Sequence, residues 1–400
     1  MGNLSNRLGI LSFVNFGVLV LFSSRNNVLL WVTDWQYSTF ILLHHWVGRL
    51  AILEAILHSL IFLRDWIVTN KLAKDQNLPY WWWGCIGTIT AFLLLPLSIP
   101  VVRLNRYELF LATHIVLSIL IFLGSWYHIY FKYMHQSGYE TWLYIVFAIW
   151  GFDRLVRLLR LLRHGICTAT ITVIDKDYIR LDIKATVATG HVYLYFLNSR
   201  FWESHPFSVA STIIQNTKSE SMGSDTPPEG LQTESLNNKM EPTVTSQPAE
   251  VAEPGMVFYM RTLNGATKAL RARCHIQLLV EGSYGHHEDL SEYPTLICIA
   301  GGVGITACLP YLRAHCGSRY LYWGTRSQAL ATSMQPLTHL YEMEIAVGRR
   351  LDLASILEGQ GGDFAVVVSG PASMVDETRQ IVSMLARRKR VKLVVESFSW

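Results

Sequence analysis

The sequence predicts a multi-domain protein: an α-helical transmembrane bundle, then an antiparallel β-barrel domain, then an α/β domain built on a parallel sheet. Three observations carry this reading. Half of the 400 residues are hydrophobic and only 16% are charged, yet the apolar runs are concentrated before about residue 160. Two of those runs carry histidine pairs of identical spacing. Beyond them the period changes to strand-like alternation, and a glycine-rich turn follows a short buried-strand pattern.

In the first domain, residues 1–163, apolar runs near 8–24, 40–63, 81–102, 108–131 and 140–160 are long enough, or nearly so, to cross a hydrocarbon core about 30 Å thick. About five spans follow. The first run lacks a cleavage pattern and reads as a transmembrane helix, not a signal peptide. Arg103 and Arg106 follow the third run, and Arg154, Arg157, Arg160 and Arg163 end the fifth, which places both regions on the cytosolic side. The N-terminus is then outside and the soluble half inside.

His44 and His58 lie 14 residues apart, as do His114 and His128. In an α-helix that spacing rises about 21 Å and leaves the two side chains about 40° apart in azimuth, so each pair faces one way. His45 lies about 220° around the helix from His58 and is the poorer mate. A lone histidine in an apolar helix is usually an interhelical hydrogen-bond donor. Four in two matched pairs point to function, because ionisable groups at membrane depth are costly. Two such helices side by side offer two stacked imidazole pairs, as needed to ligate two haems on both faces. The second and fourth spans run parallel, so His44 pairs with His114 on the inner side and His58 with His128 on the outer. Glu54, one turn before His58, is a candidate partner of the outer site or an interhelical contact. Trp81, Trp82 and Trp83 read as an interfacial belt.

Residues 164–290 read as a strand-rich domain, the expected β-barrel. Alternation runs from Thr168 to Ile183 and through His191 to Leu197, and resumes at Val257 to Arg261. Between them, residues 214–255 are rich in Ser, Thr, Pro, Glu and Asn and read as a disordered surface insertion. In residues 291–400, Thr295–Ala300 runs into Gly301-Gly-Val-Gly-Ile-Thr306 and a helix; glycines there let a backbone approach a phosphate at a helix N-terminus. Tyr320–Trp323 and Phe364–Val368 read as further parallel strands, with Ser369-Gly370-Pro371 at a carboxyl end, where ligands bind. A net charge of +4 is too small to argue for nucleic acid, and six cysteines without CxxC or zinc spacing argue against a disulfide framework.

These residues resemble the fungal transmembrane ferric reductases, of the superfamily that includes the NADPH oxidases. The resemblance runs from about residue 25 to the last residue, interrupted by 214–255. His44-His-Trp-Val-Gly-Arg49 is similar to the family's His-Arg-Trp-x-Gly-Arg, with His45 in place of arginine, and His114 and His128 match its second ligand pair. His205-Pro206-Phe207-Ser208 is similar to its flavin motif. The resemblance implies a ferredoxin-reductase-like cytosolic half with FAD and NADPH, and two b-type haems as cofactors. Phe207 would pack near the flavin ring, Ser208 would hydrogen-bond it, and Arg261, with Thr267 in an Arg-x-x-x-Gly-x-Thr-like pattern, would neutralise its pyrophosphate. Gly301, Gly302, Gly304 and Thr306 would cradle the NADPH phosphates, and Thr325 and Arg326 would read the 2′-phosphate. Glu396, Phe398 and Trp400 match the C-terminal signature, whose terminal aromatic lies by flavin and nicotinamide. Ser369 stands where the family has cysteine, Ser283 where it often has proline, and the family carries a further helix before the first span. The implied activity is electron transfer from NADPH to extracytoplasmic ferric or cupric chelates at the plasma membrane, with an iron permease as partner. A superoxide-forming NADPH oxidase and a redox-inactive homologue are the alternatives.

Overall fold

The computed structural model describes residues 2–33, 35–184, 186–197, 203–213, 254–262, 266–285 and 288–396. Nearly all of the 214–255 stretch, together with Phe398 and Trp400, lies outside the described residues. The chain divides into two compact units, residues 1–160 and 161–399.

The first unit is all helical. The long helices are α1 (Gly2–Ser23), α3 (Tyr37–Val68), α5 (Pro79–Leu97), α7 (Tyr107–Tyr133) and α8 (Thr141–His164). Short helices α2 (Leu29–Thr33), α4 (Leu72–Asp75) and α6 (Pro100–Asn105) lie in the connections. The third apolar run, expected to continue to 102, ends at Leu97. Pro100 restarts the chain as α6 because its ring fixes φ and its nitrogen has no proton to continue the ladder.

Four helices among the described residues, α1, α3, α5 and α7, are long and apolar enough to cross a membrane. The expected fifth span, α8, is not one of them by composition, because Asp153, Arg154, Arg157, Arg160 and Arg163 fill its second half. It nevertheless runs beside the others. Tyr144 and Phe147 pack edge-on against Trp126 and Phe122 of α7, and Asp153 accepts hydrogen bonds from the amide and side chain of Asn26, both 3.0 Å, just after α1. A buried carboxylate thus ties the polar half of α8 to the residue that follows α1, and the two Asn26 donors together with Arg154 Nη2 at 2.9 Å offset its desolvation.

Helices α5 and α7 approach each other closely at a glycine pair. A Cβ on Gly124 would stand 2.9 Å from the backbone of Gly87, so only glycine permits this spacing. Elsewhere, Glu54 is buried and accepts from Asn15 Nδ2 of α1 at 2.8 Å, making it the interhelical contact of its two expected roles.

In the second unit a seven-stranded antiparallel sheet comprises β1 (Ile166–Val173), β2 (Tyr178–Lys184), β3 (His191–Phe196), β4 (His205–Ser208), β5 (Ser211–Ile213), β6 (Gly255–Arg261) and β7 (His275–Tyr284), with α9 (Ala266–Leu270) before β7. Its order is β4-β3-β7-β1-β2-β6-β5, and β4 also touches β6, so the sheet curls toward a closed barrel. Leu181, Leu194, Phe258 and Leu278 fill its interior.

The parallel sheet, β8 (Thr295–Gly301), β9 (Ser318–Thr325), β10 (Glu342–Val347), β11 (Phe364–Ser369) and β12 (Val391–Val395), has the order β10-β9-β8-β11-β12. Its central strands are apolar on both faces because helices cover both. Leu296, Cys298 and Ala300 face α10 (Ile305–Ala314) and α11 (Gln328–Thr338), while Ile297 and Ile299 face α12 (Leu353–Glu358) and α13 (Ala372–Leu385). The strand order reverses between β8 and β11, which opens a crevice at their carboxyl ends.

Leu181 has no exposed surface in the barrel core. Leu181→Ala is expected to destabilise the protein by about 2–5 kcal/mol, through lost transfer energy and the cavity left behind. A thermal melt of the full chain checks it, and an unchanged midpoint would contradict this account of the core.

Candidate functional site

The bundle brings the four histidines together as two pairs. His44 faces His114 with ring centres 6.1 Å apart, and His58 faces His128 at 6.4 Å. Two imidazoles on opposite sides of one metal ion, each bound at about 2 Å, would have ring centres roughly 6 Å apart, so both pairs fit the bis-imidazole arrangement of a haem.

The tautomers fit as well. His44 Nδ1 lies 3.0 Å from the carbonyl of Leu19, His58 Nδ1 is 2.7 Å from that of Ser5, and His128 Nδ1 is 2.8 Å from that of Tyr80. A carbonyl only accepts, so Nδ1 carries the proton in each ring and Nε2 keeps its lone pair for a metal. His114 Nδ1 lies 3.5 Å from Ser98 Oγ, a longer contact.

The outer pair lines a cavity of about 850 Å³, including its open mouth. Its wall includes Trp83, Ser125, Tyr133 and Tyr139, so Trp83 is part of a site as well as of the aromatic belt expected from sequence. His45 turns elsewhere: its Nε2 meets Arg103 Nη1 at 2.9 Å.

In the second unit, the motif His205–Ser208 forms β4, an edge strand paired with β3 in the register Phe207 to Val192 and Ser208 to His191. Phe207 packs against the barrel core, edge-on to Phe196, and His205 stacks on Phe196. Pro206 lies opposite Tyr193, where the edge position tolerates its missing amide proton. Arg261 ends β6 with its side chain exposed, and Thr267 lies in α9.

At the crevice of the parallel sheet, Gly301 to Gly304 follow β8 directly. A Cβ on Gly301 would meet Pro371 Cδ at 2.7 Å, and one on Gly304 would meet the Ser369 carbonyl oxygen at 2.4 Å. The absent side chains let the two turns predicted from sequence, 301–304 and Ser369-Gly370-Pro371, close on each other. Gly302 has φ +56°, and its carbonyl accepts from Trp323 Nε1 at 2.9 Å. Thr306 turns its hydroxyl to the Val303 carbonyl at 2.9 Å, and so braces the turn. Thr325 is buried at the end of β9, and Arg326 beside it is exposed. Glu396, after β12, is half-buried beside α10 and accepts from the Tyr311 hydroxyl at 2.6 Å; desolvation pushes its carboxyl pKa upward.

Sequence reasoning missed two residues here. Tyr178 begins β2 opposite Arg261, and its hydroxyl lies 3.3 Å from where a Cβ on Gly302 would stand. Burial pushes its phenol pKa up, against the pull of the Arg261 and Arg326 charges. Asp175, just before it, accepts from the Ser327 hydroxyl and from the amides of Asp177 and Tyr178 at 2.7 and 2.9 Å. Asp-x-Asp-Tyr before a strand was the available signal, since a short carboxylate commonly caps its own turn.

These features define a class: a multi-pass membrane bundle with paired histidines, joined to a barrel and a doubly wound sheet. Residues 8–125 match the family described as the ferric reductase like transmembrane component. Over 309 residues, 76% of this chain, it is 30% identical to a probable ferric reductase transmembrane component of Candida albicans. It is 27% identical over 315 residues to ferric/cupric reductase transmembrane component 2 of Saccharomyces cerevisiae. The chain spans 41% and 38% of those two proteins. Among solved structures, an NADH-dependent reduced ferredoxin-NADP oxidoreductase aligns with a TM-score of 0.40 and 15% identity, over 58% of this chain and 76% of its own. The chain thus resembles the fungal transmembrane ferric reductases, as its motifs imply.

Burial works against the Asp175 carboxylate, but its hydrogen bonds prevail and hold its pKa below the ordinary carboxylate range. A depressed folded-state pKa contributes stability that is complete above the unfolded value, about 3.9, and is lost as pH falls through the folded value. Asp175→Asn is therefore expected to lower the melting temperature at neutral pH and to converge with wild type in acid. A gap that stays constant with pH would contradict this.

Proposed function

We propose that this chain is the electron-transfer core of an NADPH-dependent ferric-chelate reductase, passing electrons from the cytosolic face of the plasma membrane to ferric, and also cupric, chelates outside. The observation that carries this reading is the pair of stacked histidine sites, each with ring centres about 6 Å apart, in which His44, His58 and His128 turn a proton-bearing Nδ1 to a main-chain carbonyl. When bound, FAD would supply the conversion of two-electron into one-electron chemistry, and b-type haems would supply one-electron transfer within the bundle.

The chain's own residues do the rest. His44 with His114 would hold the inner haem, and His58 with His128 the outer one. Phe207 and Ser208 would orient the flavin from an edge strand whose position is fixed by pairing to β3. Arg261 would neutralise a pyrophosphate, and Tyr178, opposite it in register, reaches toward the glycine turn. Gly301, Gly302 and Gly304 offer main-chain amides at the start of α10, where the helix dipole favours phosphate. Thr325 and Arg326 would distinguish NADPH from NADH, because a guanidinium rewards the additional 2′-phosphate. Ser369, Gly370 and Pro371 face that turn across the crevice and, with Trp400, would position the nicotinamide.

His128→Ala is expected to lose the outer haem with flavin retained, and NADPH-driven ferric reduction should fall by at least about 10- to 100-fold. Haem and flavin content of the purified protein, measured beside its activity, checks this; full haem occupancy in the variant would overturn the assignment. Reduction that disappears on adding superoxide dismutase would reassign the acceptor to dioxygen. In a second test, Arg326→Ala should raise KM for NADPH about tenfold at unchanged kcat, leaving NADH kinetics nearly unaltered. Equal effects on both nucleotides would remove Arg326 from the specificity role.

A further inference from the structure

Both histidines of the outer pair reach their carbonyls where the supporting helix has no side chain. A Cβ on Gly9 would stand 2.8 Å from Nδ1 and 2.9 Å from Cε1 of His58, and one on Gly84 would stand 2.7 and 3.0 Å from the same atoms of His128. Carbon atoms in contact rest about 3.5–4.0 Å apart, so neither ring could keep its place beside an alanine.

The two sites share a geometry. Gly9 lies four residues after Ser5, and Gly84 four residues after Tyr80, the residues whose carbonyls accept from His58 and His128. A helical side chain leans over the turn N-terminal to its own Cα, so the residue at i+4 ordinarily screens the carbonyl of residue i from sideways approach. Glycine at i+4 removes that screen. The imidazole can then share a carbonyl that also belongs to the helix ladder, and Nδ1–H is committed to it.

The inner level lacks this arrangement. His44 rests on Leu19, whose i+4 residue is Ser23, and His114 has only the 3.5 Å contact to Ser98 Oγ. Helix-spacing glycines exist elsewhere in the bundle, at Gly87 and Gly124, but they meet backbone and not an imidazole.

We propose that Gly9 and Gly84 are positioning residues of the outer pair: each admits one imidazole to a helix carbonyl, which fixes Nδ1 as the protonated nitrogen and reserves Nε2 for the metal. A hydrogen bond of this kind orients a ligating histidine and raises its basicity. The proposal rests on the haem-ligand reading of His58 and His128, and adds that the helices opposite select the tautomer and the ring orientation.

The test uses the full chain purified in detergent, with the haem-to-flavin ratio and the electron paramagnetic resonance spectrum of the oxidised protein as readouts. Gly9→Ala and Gly84→Ala are compared with wild type and with Gly151→Ala, whose added Cβ meets nothing within 4 Å. The expected result is that each of the first two variants loses one haem, or converts one of two low-spin signals to high spin or to shifted g-values. Flavin and the other low-spin signal should persist, and Gly151→Ala should match wild type. Both variants retaining both low-spin signals at wild-type positions would overturn the proposal. So would loss of flavin together with both haems, since that would make the glycines general folding residues. Wild type without haem would overturn the underlying ligand reading, and that result is distinguishable before any variant is made.

Discussion

An imidazole that binds a metal through one nitrogen carries its proton on the other, and the bundle is organised around where that proton goes. His44 and His58 of α3 lean on α1, and His128 of α7 leans on α5, each through Nδ1 to a main-chain carbonyl. These contacts join helices in the order α1 to α3 and α5 to α7, the same neighbours that pack most extensively. Packing and tautomer selection are therefore one constraint: a helix pair that drifts apart also loses the orientation of its histidine. The close approach at Gly87 and Gly124 serves the same end on the α5–α7 side.

The second unit is held to a different constraint, the meeting of two turns at a crevice. The reversal of strand order between β8 and β11 leaves room at their carboxyl ends. Gly301 and Gly304 reduce that room to what the turn at Ser369–Pro371 requires, and Trp323 fixes the Gly302 carbonyl from below. The barrel contributes from the other side through Tyr178, Arg261 and the Asp175–Ser327 bond.

Much of this was legible in the sequence because it depends on local period. The 14-residue spacing fixes that each histidine pair shares a helix face whatever the neighbours do. Alternation gave β1, β2, β3 and β6, and continuous apolar runs gave β8 and β11. β10 and β12 escaped for a physical reason. Glu342-Met-Glu-Ile-Ala-Val347 is an edge strand with one wet face, and Val391–Val395 is five residues long and also lies at an edge. Residues 140–160 read as a span that ends in arginines; that its second half is charged throughout, with Asp153 buried against Asn26, depends on packing. Trp83 was assigned to the membrane interface by composition, and only its place beside His58 and His128 shows that it also walls a cavity.

By itself the sequence determined the order of the three architectures, the pairing of His44 with His58 and of His114 with His128 along their helices, and the glycine turn at 301–304. Each follows from spacing within one segment. The tertiary structure alone decided which carbonyl each imidazole meets, that Glu54 serves Asn15 and not a histidine, that Tyr178 lies against Gly302, and that Gly9 and Gly84 stand where His58 and His128 must fit. Those facts join residues dozens of positions apart, and the distance between two surfaces exists only once helices and strands have packed.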